Sequence, residues 1–103
     1  MLRIKAILIL KRNATRDYLD FIAMANSLGD KKALDALKPF DTLYPQSNGE
    51  SAFQQLQIQL SNPMPYDLDD VDLSEYKHLV PELQDWNHIK SLCGNLALKM
   101  FKE

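Results

Sequence analysis

The sequence predicts an α+β fold, with a small sheet holding strands near residues 3–10 and 54–60 packed against about four helices. Three observations lead there. From Leu2 to Leu10 every even position is apolar, while Arg3 and Lys5 stand at odd positions. The segment Gln55-Leu56-Gln57-Ile58-Gln59-Leu60 alternates strictly between polar and apolar, the period of a half-buried strand. Elsewhere leucine dominates, Val occurs only at Val71 and Val80, and Thr only at Thr15 and Thr42, which favours helix for the remainder.

In the first segment a helical wheel scatters Arg3, Lys5, Lys11 and Arg12 around the axis with no clean polar face. Period two therefore fits better than 3.6, with Ile7 and Ile9 implying cover on both faces. Asn13 or Thr15 is placed to cap a following helix, and Tyr18, Phe21, Ile22, Ala25 and Leu28 recur as one apolar stripe. Gly29 then suits a helix C-terminus, Asp30 can cap a shorter helix through Lys38, and Pro39 ends it. Residues 39–51, with Pro39, Pro45 and the Asn48-Gly49 turn pair, read as irregular.

The Gln/Leu segment has a helical competitor, because Ser51 and Gln54 have capping-box spacing and Phe53, Leu56 and Leu60 share a helical face. Ile58 falls off that face, which favours the strand. The alternative fold is an all-α bundle in which this segment is helix. The α+β reading also needs a third strand, within 39–46 or across a dimer, since two strands alone are marginal. Pro63 and Pro65 open a loop, Asp72 and Glu75 mark a helix start running to Leu79, and Pro81 precedes a last helix over 82–101. Leu83, Trp86, Ile89, Cys93, Leu96 and Met100 form its stripe, widened by Leu92 and Leu98. Gly94 within it points to close packing against another element.

Length, 46% hydrophobic and 25% charged residues describe one globular domain over residues 1–103 that folds without disulfides, Cys93 being the single cysteine. The apolar run at the N-terminus stops after five residues at Lys11, too short for a secretory core or a membrane span, so the expected location is cytoplasmic. Net charge is −2, divided as +4 over residues 1–38 and −6 over 39–103. Attraction between two halves of one domain accounts for such a split, and so does a docking surface.

The most distinctive local feature is the acidic run Asp67-Leu-Asp-Asp-Val-Asp-Leu-Ser-Glu75. Its carboxylates Asp67, Asp69, Asp70, Asp72 and Glu75 are the candidate partner-binding residues, offering a negative surface to a basic protein. A calcium loop of the EF-hand type would need Gly at its sixth and Glu at its twelfth position, where this chain has Asp72 and His78. Helix-start acids in a solvated loop are the bland alternative.

No catalytic set emerges. His88 and Cys93 lie about 140° apart on a continuous helix and do not meet, and Cys93 sits on the apolar stripe, where a free thiol behaves as a small hydrophobe. His78 and His88 have no zinc-ligand spacing, and Glu82 and Asp85 are explained by the helix dipole. Neither metal nor cofactor is expected. The sequence pI of about 5.6 argues against nucleic acid, despite the early basic residues. Asn13-Ala-Thr15 matches a glycosylation sequon. Aromatic residues such as Trp86, Tyr76, Tyr44, Phe40 and Phe53 belong mostly to the core, and any exposed beside the acidic run would join anchor and charge in one interface. The expected function is a non-enzymatic interaction domain of inhibitor, immunity or adaptor type. The alternatives are a ligand-binding or small enzyme domain with a site assembled from distant residues, and a nucleic-acid module using the basic N-terminal part. A homodimer is compatible with each.

Overall fold

A computed structural model describes residues 2–70 and 85–102. Among them there is no strand. The chain forms α1 (Leu2–Arg12), α2 (Thr15–Leu28), α3 (Asp30–Leu37), the single turn α4 (Phe40–Leu43), α5 (Ala52–Ser61), a 3-10 turn (Leu68–Asp70) and α6 (Trp86–Lys102). The α+β expectation is thus overturned and the all-helical alternative stands. The helix expected over 72–79 lies outside the described residues.

Residues 3–10 form a helix because their cations are flank residues, each answered by a neighbouring helix. Leu2, Ala6 and Ile9 make the buried face of α1. Arg3 Nε donates to the Ala36 carbonyl at 2.7 Å, satisfying a last-turn oxygen of α3. Lys5 pairs with Asp20 of α2 at 3.6 Å. At the end of α1, Arg12 donates to the buried carboxylate of Asp17, with Nε to Oδ2 at 3.2 Å. The scatter of cations around the axis reflects neighbours on several sides, since α1 packs against α2, α3 and α5.

Residues 54–60 form a helix because the glutamines fall on its two shoulders. Leu56 and Leu60 are fully buried together with Ala52. Gln55 and Gln59 flank that stripe on one side and Gln57 on the other, all three half-buried. Long contacts of 3.5 Å run from Gln59 Nε2 to the Ile9 carbonyl and from Gln57 Nε2 to the Ala97 carbonyl. Ile58 points away from the core and is 65% exposed. The capping relation holds: Ser51 Oγ accepts from the Gln54 N–H at 3.0 Å. Asp41 adds to it, accepting from the Phe53 N–H at 2.8 Å and from the Ser51 hydroxyl at 2.6 Å.

The stripe of α2 buries Tyr18, Leu19, Phe21, Ile22 and Ala25. Gly29 closes the helix at φ 87°, a backbone region costly for other residues, and its N–H donates to the Ala25 carbonyl at 3.0 Å. Asp30 lies inside α3 and, instead of capping it, pairs with Lys99 of α6. Helix α6 starts later than expected, with Asp85 Oδ1 accepting from the Asn87 N–H at 3.0 Å. Its buried face is Ile89, Cys93, Leu96, Ala97 and Met100, while Leu98 is exposed and does not widen the stripe. It packs mainly on α5, and the Trp86 ring meets Tyr18 edge-on at 6.2 Å.

Gly94 does not mark a close approach, because a methyl group there would meet nothing within 4 Å. The expected attraction between the two charge halves shows at one ion pair among the described residues, with Asp72, Glu75 and Glu82 lying outside them. Among the described residues, Lys5, Arg12, Arg16 and Lys38 pair with Asp20, Asp17 and Asp35 of their own half, and only Lys99–Asp30 crosses.

Two substitutions test the helical assignment. Leu56→Ala costs about 2–5 kcal/mol in denaturant unfolding, whereas Ile58→Gln changes stability by no more than about 0.5 kcal/mol. A strand would make those two positions equivalent. Gly94→Ala raises stability by about 0.5–1 kcal/mol in the same measurement, since it gains helix propensity without a clash.

Candidate functional site

The acidic run begins at the corner between α1 and α2. Ala14 occupies the N-cap position of α2 and has no side-chain oxygen to offer, and neither Asn13 nor Thr15 caps the helix locally. The cap comes instead from Asp67, 52 residues along the chain. Its Oδ1 accepts from both the Thr15 N–H and the Thr15 hydroxyl, each at 2.8 Å. The hydrogen bond from the Thr15 backbone holds the Asp67 carboxyl below its ordinary range, against the opposing effect of burial and with help from the Thr15 hydroxyl.

Asn13 completes the corner. It adopts φ 50°, a left-handed conformation that Asn tolerates better than most residues. Its N–H donates to the Ile9 carbonyl at 2.9 Å and its carbonyl accepts from the Tyr66 N–H at 3.1 Å. Nδ2 donates to the Met64 carbonyl at 3.0 Å, and Oδ1 accepts from the Tyr18 hydroxyl at 2.5 Å. Every polar group of Asn13 is engaged, which leaves its amide committed to the fold and argues against the sequon as a glycan acceptor. Burial pushes the Tyr18 phenol up, with Gln59 partly offsetting it. Gln59 Oε1 is buried beside this network with no hydrogen-bond partner among the described residues.

These bonds strap residues 62–67 across the corner. Within the strap Pro63 and Pro65 are buried and Met64 and Tyr66 point outward, an in-and-out alternation of extended chain. Met64 is 70% exposed and Tyr66 76%. The 3-10 turn follows directly, with the Asp70 N–H donating to the Asp67 carbonyl at 3.0 Å and the side chains of Asp69 and Asp70 exposed.

The five acids of the run therefore do not act alike. Asp67 faces the α2 N-terminus as a structural cap, and Asp69 and Asp70 face outward. Asp72 and Glu75 lie outside the described residues. Met64 and Tyr66 were not candidates on sequence grounds. The signal available was the Pro-Met-Pro-Tyr alternation, since two buried prolines in extended chain force the intervening side chains outward.

The other candidates are kept apart by the fold. His88 is exposed at the start of α6 and Cys93 is fully buried, its thiol pushed up to about 12 by burial and so inert as a nucleophile near neutrality. His78 and Glu82 lie outside the described residues. Among the described residues no three His, Cys, Asp or Glu side chains come together to hold a metal ion.

No family model matches this chain, and no solved structure matches it. The chain is 28% identical over 105 residues to the mycolic acid-containing lipids exporter MmpL11 of Mycolicibacterium smegmatis (strain ATCC 700084 / mc(2)155), a match covering 99% of this chain and 10% of the exporter. The chain thus spans about a tenth of the length of that relative, and likeness at this level does not assign it to a family. No described helix is long and apolar enough to cross a membrane.

Removing the remote cap gives a pH-dependent result. Asp67→Ala lowers stability by about 0.5–2 kcal/mol at neutral pH, by analogy with other lost N-caps. Because the folded-state pKa of Asp67 is depressed, its contribution is present above the unfolded value of about 3.9 and is lost as pH falls through the lower folded value. The gap in melting temperature between wild type and Asp67→Ala therefore narrows below about pH 3.9. A gap that stays constant on acidification contradicts the charged cap.

Proposed function

We propose that this chain is a cytoplasmic, non-enzymatic interaction domain that docks a basic protein partner on the strap surface. Met64 and Tyr66 are its apolar anchors, and Asp69 and Asp70 its charge. The observation that carries this reading is the outward display of two large side chains on a backbone tied down at Asn13 and Asp67. A segment already held in one conformation gives up less entropy on binding. Tyrosine is enriched among interface hot spots, and methionine adapts to varied partner surfaces. The paired carboxylates steer a basic partner and select against acidic ones. The cytoplasmic assignment rests on the single, buried, unpaired Cys93.

The basic residues of the N-terminal part support a protein partner over nucleic acid. Arg3 is bonded to a carbonyl of α3, and Lys5, Arg12 and Arg16 are each paired with a carboxylate of α2. Among the described residues that leaves Lys11, Lys31 and Lys32 without a bonded carboxylate or carbonyl, a small share of the basic charge for an array on phosphates.

The test is affinity capture from lysate of the source cells, comparing wild type with a triple variant carrying Tyr66→Ala, Asp69→Asn and Asp70→Asn. One basic protein is retained stoichiometrically by wild type and at least about tenfold less by the variant, at an unchanged melting temperature. Equal capture by both forms, or retention of nothing by wild type, overturns the reading.

A further inference from the structure

A second concave feature shares no residue with the strap surface. Helix α1, the connection after α4 and helix α5 enclose an open cleft of about 530 Å³. That volume lies within the roughly 300–1,000 Å³ typical of small-molecule sites. Ile7, Leu10, Leu43 and Tyr44 provide its apolar lining. The Tyr44 ring is fixed by packing on the fully buried Phe40, with centroids 5.1 Å apart.

The polar part of the lining comes from Lys11, Gln46, Ser47, Asn48 and Gln55. Lys11 is the one charged residue of the lining. The other cations of α1, Arg3, Lys5 and Arg12, are each bonded to a neighbouring helix or its carboxylates, whereas Lys11 has no ion pair among the described residues. Asn48 and Gln55 line the same cleft. The loop carrying Asn48 is held by the Glu50 N–H, which donates to Asn48 Oδ1 at 2.9 Å, and by Gln46 Nε2, which donates to the Glu50 carbonyl at 3.1 Å. With Oδ1 occupied, the NH₂ is the group Asn48 has left to donate. The half-buried Gln55 amide has no hydrogen-bond partner among the described residues and supplies a second donor.

We propose that this cleft binds a small amphipathic monoanion, a carboxylate on a short apolar body. The carboxylate meets the Lys11 ammonium and the Asn48 and Gln55 amides, and the body lies on Ile7, Leu10 and Tyr44. One point charge with two neutral donors matches a singly charged carboxylate. A phosphate dianion calls for more, typically a guanidinium fork or several charges.

Octanoate is the probe, titrated into the full chain and followed by amide NMR shifts, with octan-1-ol and inorganic phosphate as comparisons. Saturable shifts are expected at residues 43–48, 55 and Lys11, at millimolar or tighter affinity. Lys11→Gln weakens octanoate binding by roughly three- to tenfold at an unchanged melting temperature, since Lys11 is exposed and its loss removes one charge-assisted contact. Octan-1-ol binds weaker than octanoate by a similar factor. The variant with Tyr66→Ala, Asp69→Asn and Asp70→Asn binds octanoate as wild type does, which separates this site from the partner surface. The proposal is overturned by absent saturation, by shifts centred elsewhere, by indifference to Lys11→Gln, by octan-1-ol binding as well as octanoate, or by phosphate reproducing the octanoate shifts.

Discussion

The first turn of α2 has no local side-chain cap for its leading amide groups, and much of the molecule is arranged around that need. Only Asn13 and Ala14 separate α1 from α2, and Ala14 stands where a capping oxygen belongs. Orphan N–H groups at a buried helix start are expensive, so a remote carboxylate is brought over them. Asp67 does this, and the two bonds it accepts from Thr15 draw residues 62–67 across the corner. The positive φ of Asn13 lets the chain turn there and directs its side chain to Met64 and Tyr18. The side-chain pattern of the strap follows from where its backbone is tied.

Helix α1 is the second constraint, an apolar helix with neighbours on several sides. Arg3, Lys5 and Arg12 survive at its edges because each reaches an oxygen belonging to another element: the Ala36 carbonyl, Asp20 or Asp17. Such contacts contribute modestly where solvent reaches them. Their larger effect is to set which helix lies on which side of α1. The buried Asp17 carboxylate needs Arg12 most, being fully enclosed while its partner is half in water.

One acidic run thus serves two ends. Its first residue acts inside the fold, and the next two described acids stay in water beside exposed Met64 and Tyr66. A single charged segment mixes structure and surface because a helix N-terminus calls for one carboxylate while the others stay solvated.

Most of the stripes of α2 and α6 (Leu28 and Leu98 excepted), the break at Gly29 and the buried thiol were legible in the residues, because each depends on neighbours within a few positions. The two segments read as strands were not. Glutamines at 55, 57 and 59 occupy helical shoulders that happen to fall on odd positions, and Arg3, Lys5 and Arg12 of α1 find their partners on other helices. Periodicity reports how many sides of an element are covered and carries no information about what covers them. For the same reason the role of Asp67 was hidden, since no local pattern reveals a cap supplied from 52 residues away. The sequence by itself determined which stretches seek burial and where the chain breaks. Only the tertiary structure decided which carboxylate is used up inside and which side chains remain outside, because those outcomes depend on contacts between residues that the chain keeps far apart.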